Sequence, residues 1–266
     1  MWKRICRIDL YTKNYKLIFY MKTIFDKIYI LHWLPNKDRD IALKKKFKYL
    51  GLEYEYVYAL PLLDIFGENN DKYQHLYITN NDNTWKYGDK IIQHWSVAFG
   101  HYMCVYQAYQ LGYNNVLILE NDVVINNNKK LIEQYLNNVP KDSDIIRYGY
   151  MEWDWYNTER FDNTNELFYK DNENNDFRYY GNQCYGLMNR KTMKIYLDSC
   201  NYCFNGNEDV ENIHRGNKFN LNIYYATKPI FLDHIAYHEY YLNDNTNQAY
   251  ILPYSINLIN KYEFIE

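Results

Sequence analysis

A pair of carboxylates follows a short aliphatic run near the middle of the chain. Residues 116–119 form a continuous apolar segment, typical of a strand buried on both faces, and Glu120, Asn121 and Asp122 come directly after it. Side chains of a strand alternate between its two faces, so Glu120 and Asp122 are expected on one side and Asn121 on the other. In an open α/β sheet, ligands bind beyond the carboxyl ends of the strands, which is where this acidic triplet would lie.

The acidic triplet has the chemistry of a divalent-cation site. Two carboxylates on one side repel each other, and a cation placed between them and a substrate phosphate removes that repulsion. Hard oxygen ligands favour Mg²⁺ or Mn²⁺, and such an ion would neutralise charge that develops on a departing diphosphate. The local pattern leaves a second interpretation equally open, in which the two acids only end the strand in solvent.

The elements that must position this triplet are predicted to form a parallel α/β sheet. Residues 28–31 are predicted as a first strand, residues 39–50 as a helix and residues 53–58 as an alternating strand, which together imply a parallel crossover. A helix over residues 95–111, which carries His101 on its apolar face, then leads into the strand of the triplet.

The second half of the chain continues to alternate between helices and strands. The predicted elements are helices over 129–136 and 190–197 and strands over 144–148, 183–188, 221–226 and 229–232. Residues 61–93 and 151–180 are polar and are predicted as long loops, which are uncommon unless they act on a ligand. We expect one α/β domain over residues 21–241, with an N-terminal extension (1–20) and a C-terminal tail (242–266).

Composition excludes two classes of protein. The 266 residues carry 30 Lys and Arg against 33 Asp and Glu, a net charge of -3, which argues against a nucleic-acid partner bound through bulk charge. A hydrophobic share of 47% argues against a disordered chain. The 33 tyrosines are better explained by the codon bias of an AT-rich genome than by a carbohydrate-binding surface, although aromatic rings do stack on sugars.

Targeting signals are weak in this sequence. No apolar run is long enough for a transmembrane segment or for the core of a signal peptide. Five cysteines, an odd number, do not suggest a disulfide framework, and the isolated Cys200/Cys203 pair lacks the second pair that a zinc site needs. We therefore expect a cytoplasmic or membrane-peripheral protein of bacterial or viral origin.

Several of these segments resemble glycosyltransferase family 25, which includes lipooligosaccharide and procollagen galactosyltransferases. The resemblance rests on Gly100-His101 and on the sequence Leu-Ile-Leu-Glu-Asn-Asp-Val at 117–123, where the family has a Ser-His pair and a strand that ends in Glu-Asp-Asp-Val. Weaker matches such as Asp38-Arg39 and Asp209-Val210 extend it over residues 24–235. The resemblance implies a GT-A-like fold, a Rossmann-type mixed, mainly parallel sheet flanked by helices, with long decorated loops.

The same resemblance implies inverting transfer of a hexose, galactose or glucose, from a UDP-sugar to a hydroxyl of a glycan or of a hydroxylated side chain, assisted by Mn²⁺ or Mg²⁺. Asp122 would bind the metal directly. Glu120 would contact the ribose or the waters of the metal. His234, or its neighbour Asp233, would be a further metal ligand; a surface histidine is the alternative.

Three further residues would contact the donor nucleotide-sugar. His101 is assigned to the donor phosphate or to a structural anchor, with a satisfied core histidine as the alternative. Arg39 is assigned to the diphosphate through two N–H groups, with a solvated charge in the first turn of a helix as the alternative. Asn121 would lie in the ribose and metal site.

An inverting reaction needs a general base that deprotonates the acceptor hydroxyl. Asp209 is assigned this role, and Glu208 and Glu211 are the alternative bases. The alternative is an acidic first turn that stabilises the dipole of a helix.

The acceptor is expected to stack on aromatic residues of the 151–180 loop. The candidates are Trp153, Trp155 and Tyr156, together with Phe161. Buried loop anchors are the alternative use of these side chains.

The chain departs from the family pattern at three places. Asn121 stands where the family has a second Asp, Gly100 stands where it has Ser, and His32-Trp33 replaces the usual Asn-Leu. The loss of charge at Asn121 keeps a second hypothesis open, a catalytically impaired nucleotide-sugar-binding or glycan-binding protein on the same fold. A phosphoryl-transfer enzyme or nuclease is disfavoured because no Gly-rich phosphate loop or second acidic motif is present.

Overall fold

The computed structural model describes residues 21–32, 37–58, 88–121, 123–150, 166–170, 184–198, 219–228 and 230–232. The strands within them are β1 (Lys27–His32), β2 (Glu55–Tyr58), β3 (Val116–Glu120), β4 (Val124–Ile125), β5 (Ile145–Arg147), β6 (Gly149–Tyr150), β7 (Phe168–Lys170), β8 (Cys184–Leu187), β9 (Ile223–Ala226) and β10 (Phe231–Leu232). The helices are α1 (Lys37–Leu50), α2 (Gly88–Gln110), α3 (Lys129–Asn137) and α4 (Arg190–Asp198). None of these four helices has the length and apolar character that a membrane span requires.

Seven of the described strands form one sheet in the order β2-β1-β3-β8-β5-β9-β7. β1 pairs in parallel with both β2 and β3, and β9 pairs in parallel with β5. β8 runs antiparallel to its neighbours β3 and β5, and β7 runs antiparallel to β9. Five of these seven strands therefore share one direction. This mixed, mainly parallel α/β sheet is the predicted one, and it agrees with the GT-A-like fold that the resemblance implies.

The interior strand β3 lies between β1 and β8, and its aliphatic run is fully buried. Val116, Leu117, Ile118 and Leu119 have no exposed surface, as expected for a strand that is covered by helices on both faces. The apolar side chains of β3 divide between two core clusters, with Val116 and Ile118 in one and Leu117 and Leu119 in the other. This alternation places the next side chain, Glu120, on the same face as Ile118.

Two of the described helices cover each face of the sheet. On the first face, which we call the α2 face, Cys104, Val105 and Ala108 of α2 pack with Met193 of α4. On the opposite face, the α1 face, α1 contributes Leu43, Phe47 and Leu50, and α3 contributes Ile132 and Leu136. The chain reverses after α1 and α2 at Gly51 and Gly112, whose φ values of 72° and 79° suit glycine.

Two predicted loops are partly regular structure. Residues 88–93 belong to α2, which begins seven residues before its predicted start, because no Pro or Gly interrupts the sequence between Gly88 and Gly100. Phe168–Lys170 forms β7 within the second predicted loop, because it pairs with β9 and buries Phe168. β4, β10 and β6 also pair into a small sheet, of which the sequence pattern predicts only the strand over 229–232. The predicted N-terminal extension and C-terminal tail lie outside the described residues and stay predictions.

Candidate functional site

Polar and aromatic side chains end four strands of the sheet that run in the same direction. His32 is the last residue of β1, Tyr58 of β2, Glu120 of β3 and Arg147 of β5. β8 begins at the same edge because it runs in the opposite direction, which brings its second residue, Tyr185, alongside Arg147 in the sheet register. Ligands of open α/β sheets bind at this carboxyl edge, so the topology alone assembles a candidate site.

On the α2 face, Glu120, His101 and Tyr185 form a connected hydrogen-bonded chain. His101 Nε2 lies 3.0 Å from Glu120 Oε1, and His101 Nδ1 lies 3.0 Å from the Tyr185 hydroxyl. The imidazole has no exposed surface, whereas the Glu120 side chain is 14% exposed. These hydrogen bonds therefore connect the buried core to a carboxylate at the edge of the sheet.

Hydrogen-bond chemistry defines the protonation of this chain when the imidazole is neutral. An ionised carboxylate only accepts, so His101 Nε2 carries the proton and donates it to Glu120. Nδ1 is then an acceptor, and the Tyr185 hydroxyl donates to it. Each group uses the role that its neighbour requires, and successive hydrogen bonds of this kind strengthen one another.

The Tyr185 ring makes two further contacts at the site. It stacks on His101 with ring centroids 5.6 Å apart and planes inclined by 24°. The guanidinium carbon of Arg147, a residue that is 1% exposed, lies 5.7 Å from the centre of the same ring. A buried cation near the face of an aromatic ring is attracted by the negative charge of that face.

The close approach of α2 to the sheet is what brings His101 to Glu120. Gly100 packs against Leu31 of β1, and a Cβ atom built at Gly100 would lie only 2.3 Å from Leu31 Cδ1. Leu31 is in turn the register partner of Glu120. A serine at position 100, the residue of the family pattern, would therefore force Leu31 to move, which gives a packing reason for the glycine.

On the α1 face, Asn121 contacts His32. The two side chains are joined by a bond of 3.0 Å between Asn121 Nδ2 and His32 Nδ1, and both residues are buried. Because an amide nitrogen only donates, His32 Nδ1 accepts. Glu120 and Asn121 thus contact opposite faces of the sheet, as the strand period predicts. The structure also shows that two departures from the family pattern, at positions 32 and 121, touch each other.

An acidic side chain of α1 extends this second cluster. The His32 ring stacks on Tyr56, with ring centroids 4.8 Å apart. The Tyr56 hydroxyl donates to Asp40 Oδ1 at 2.5 Å, and Lys44 Nζ donates to Asp40 Oδ2 at 2.6 Å. These bonds, first from Lys44 and then from Tyr56, lower the pKa of Asp40, while burial and the bond to Asp40 raise the pKa of Tyr56.

Most of the other predicted site residues lie outside the described part of the chain. They are Asp122, Glu208, Asp209, Glu211, Asp233, His234, Trp153, Trp155, Tyr156 and Phe161. Arg39 lies in the first turn of α1, but the structure describes only its backbone and not its side chain. The structure thus joins Glu120 to His101 and Asn121 to His32, and the remaining assignments stay predictions.

The described residues fit a hard cation in part. No group of three or more His, Cys, Asp or Glu side chains within the described ranges is arranged to hold a metal ion. Glu120 nevertheless offers a partly exposed carboxylate at the ligand-binding edge, and Asp122 follows two residues later. A donor set of carboxylate oxygens is the kind that Mg²⁺ and Mn²⁺ prefer.

Two residues of the site, Tyr185 and Arg147, were not identified from the sequence. Neither belongs to a catalytic motif, and both lie in short apolar strands that indicate core. The signal that identifies Tyr185 is its register opposite Ile118 of β3, which requires knowing that β8 inserts antiparallel beside β3. Single-sequence patterns do not contain that pairing.

Comparison with models of known protein families gives a match. The sequence model described as "Glycosyltransferase family 25 (LPS biosynthesis protein)" matches residues 25–197, which is about two thirds of the chain. The matched segment includes the Glu120–His101–Tyr185 chain and Asn121, whereas Glu208, Asp209 and His234 come after it. No curated protein matches the chain significantly.

Proposed function

The chain belongs to glycosyltransferase family 25, and from this membership we propose that it transfers a hexose, galactose or glucose, from a UDP-sugar to a hydroxyl group. The acceptor is a glycan or a hydroxylated protein side chain. The proposed reaction inverts the anomeric carbon and is assisted by Mn²⁺ or Mg²⁺. Transfer of a sugar follows from the family, and the donor, the metal and the stereochemistry are the proposed parts.

The observation that supports this proposal best is the carboxylate of Glu120, held by His101 at the carboxyl edge of β3. A nucleotide that binds there meets a hydrogen-bond acceptor of fixed orientation, which suits a ribose hydroxyl or the hydration shell of a cation. Asp122 would hold the metal, and His234 would be a later ligand. The bound ion would supply positive charge against the departing diphosphate, and Arg39 would add two N–H donors.

The transfer step requires a base on the acceptor side. Asp209, or Glu208 beside it, takes the proton of the acceptor hydroxyl while the oxygen attacks the anomeric carbon. The bond between that carbon and the diphosphate oxygen breaks, and UDP leaves with the bonding electrons. Attack from the face opposite the leaving group inverts the configuration. Trp153, Trp155 and Tyr156 would hold the acceptor by stacking.

A second candidate is a nucleotide-sugar-binding or glycan-binding protein without turnover. It is favoured by Asn121, which supplies no negative charge and whose amide donates to His32. A weaker charge beside Asp122 would lower metal affinity and would leave binding without efficient leaving-group stabilisation.

The deciding experiment measures UDP release from a panel of UDP-sugars with Mn²⁺, with and without EDTA. We expect release from one UDP-hexose, lost on addition of EDTA and reduced about 100-fold or more in Asp122→Ala, because a transition-state charge loses its main counter-charge. Glu133→Ala, an exposed acid on α3, is the control for charge loss at a distance. Tight UDP binding with no release from any donor would favour the second candidate. Unchanged release in Asp122→Ala would overturn the metal assignment.

A further inference from the structure

We propose that Tyr185 is a positioning residue for donor binding, acting through His101 on Glu120. The identity of the ligand rests on the proposed function, whereas the positioning geometry rests on contacts between described residues. The Tyr185 hydroxyl contacts one nitrogen of His101, and Glu120 contacts the other, each at 3.0 Å. Tyr185 itself is 1% exposed, so it acts on the ligand through its neighbours and does not touch it.

The two bonds of His101 fix both the orientation and the tautomer of the imidazole. Rotation of the ring by half a turn would exchange its nitrogens for carbons and would break both contacts at once. The donor hydroxyl of Tyr185 occupies the lone pair of Nδ1, which keeps the single proton of the neutral ring on Nε2, facing Glu120. The ring has no exposed surface, so protein groups rather than bulk water must satisfy it.

The backbone around Tyr185 is suited to this task because it lies between two strands. Tyr185 pairs with Ile118 of β3 on one side and with Arg147 of β5 on the other. Its ring is further held by stacking on His101 and by the Arg147 guanidinium group. A side chain fixed by both neighbouring strands orients its partner better than one on a loop.

The effect on Glu120 is expected to appear in substrate affinity. Glu120 is assigned to the ribose or the waters of the metal, contacts that exist before the transition state and persist through it. An interaction of this kind lowers KM and leaves kcat unchanged when it is intact. A tyrosine that only packed the core would change the fraction of folded enzyme, which lowers the apparent kcat and leaves KM alone.

The test compares Tyr185→Phe with Tyr29→Phe. Tyr29 is a buried tyrosine of the same core cluster, and its hydroxyl has no hydrogen-bond partner among the described residues. Both variants lose one buried oxygen from the α2 face, but only Tyr185→Phe breaks the chain to Glu120. For Tyr185→Phe we expect the KM for the UDP-sugar to rise about 3- to 10-fold at constant kcat, which is the loss of one hydrogen bond. Tyr29→Phe should leave KM unchanged.

A second measurement is independent of any substrate. In ¹⁵N-histidine-labelled protein, the His101 signals, assigned by their absence in His101→Gln, should show a protonated Nε2 and a hydrogen-bonded, unprotonated Nδ1. In Tyr185→Phe the Nδ1 resonance should move toward that of a nitrogen without a hydrogen bond, and the Nε2–H proton should exchange faster. Tyr29→Phe should reproduce the wild-type spectrum.

The two measurements separate the failure of this inference from the failure of the proposed function. Absence of UDP-sugar turnover in the wild type, together with the expected spectra, would reject the proposed function and keep the positioning geometry. A protonated Nδ1 in the wild type, or an unchanged Nδ1 resonance in Tyr185→Phe, would overturn the inference. If Tyr185→Phe does not fold, the wild-type spectrum still decides, because a protonated Nδ1 is incompatible with a donating Tyr185 hydroxyl.

Discussion

Adjacent residues of the acidic triplet are held by different partners, and this difference sets what each offers to a ligand. Glu120 is bound by His101 on the α2 face, where an N–H group stabilises a carboxylate. Asn121 is bound by His32 on the α1 face, where the amide nitrogen is already used as a donor. Where the family has a second Asp, this chain therefore has the amide of Asn121. That amide is hydrogen-bonded to His32, an imidazole that the family pattern also lacks.

Replacing Asn121 by Asp should strengthen metal binding without loss of the fold. The new carboxylate would face His32 Nδ1, and a neutral imidazole can move its proton to that nitrogen and donate, so we expect the free energy of unfolding to change by about 1 kcal/mol or less. An added unit charge about 8 Å from a divalent ion is worth about 1 kcal/mol even in water, or about 5-fold in affinity. Titration of Mn²⁺ against UDP release or UDP binding measures the change.

A matched control for this variant is Asn114→Asp. Asn114 is exposed and lies just before the amino end of β3, whereas the site lies at the carboxyl end. An Asp at position 114 therefore adds the same charge away from the site. Asn114→Asp should leave Mn²⁺ affinity at the wild-type value. Equal Mn²⁺ affinity in Asn121→Asp and the wild type would show that a charge at position 121 does not act on the metal.

At the scale of elements, the antiparallel strand β8 determines which side chains meet at the site, because it places Tyr185 between β3 and β5. Tyr185 and Leu187 point to the α2 face, while Gly186 between them faces Phe25 on the α1 face. A Cβ atom at Gly186 would lie 2.7 Å from Phe25 Cε1. The absence of a side chain at position 186 is therefore a packing requirement of the strand.

Gly186→Ala should destabilise the protein by about 1–3 kcal/mol, the usual range for an overpacked core. Urea unfolding measures the change. Phe25→Leu removes the ring that the new methyl group meets, so Gly186→Ala with Phe25→Leu should be less destabilised than the sum of the two single variants, by about 1 kcal/mol. Strictly additive losses would mean that Phe25 is not the neighbour that excludes a side chain at position 186.

Helix α1 contains a half-buried lysine whose charge opposes folding. Lys46 Nζ donates to Asn127 Oδ1 at 2.6 Å, and burial lowers the pKa of Lys46 to about 8. The unfolded chain, in which lysine titrates near 10.4, binds this proton more tightly. Stability from this group is therefore least below pH 8 and rises as the pH increases from about 8 to 10.

Lys46→Met should raise the free energy of unfolding at pH 7 by about 1–2 kcal/mol, a value kept small because solvent screens the partly exposed ammonium group, and the difference from the wild type should shrink between pH 8 and 10. Urea unfolding at unit steps of pH measures it. Above pH 10 both proteins should lose stability, because burial raises the pKa values of Tyr29 and Tyr148. Lys45→Met, at an exposed position of the same helix, is the control. A difference in the free energy of unfolding between Lys46→Met and the wild type that does not change with pH would contradict a charge effect.

At the scale of the whole molecule, local pattern predicted much of the sheet and the helices around it. The aliphatic run of β3 and the apolar stripe of α2 are strong local signals, and both are buried in the structure. The pairing of β8 between β3 and β5, the pairing of β10 with β4 and β6, and the edge strand β7 were not predicted. Strands of two to four residues have too few positions for a periodic signal, and their pairing depends on contacts distant in sequence.

The candidate site was predictable to a similar degree. Glu120 and Asn121 were identified because charged and polar residues directly after a buried strand are conspicuous, and His101 was identified through the family motif. Tyr185 and Arg147 were missed because each lies in an apolar strand, where a tyrosine or an arginine indicates core packing or an exposed edge. Their connection to Glu120 comes from strand order alone, which the sequence does not state.

Met21, the first residue of the predicted domain, contacts the described part of the fold. Its backbone N–H donates to the Gly51 carbonyl at 2.8 Å, and its side chain is 7% exposed. Removing residues 1–20 keeps both contacts and supplies Met21 as the first residue, so the free energy of unfolding in urea should be unchanged. Starting instead at residue 24, with methionine in place of Ile24, should cost about 1.5–3 kcal/mol, the value of burying one such side chain. A chain of residues 21–266 that loses as much stability as the shorter one would place residues 1–20 inside the domain.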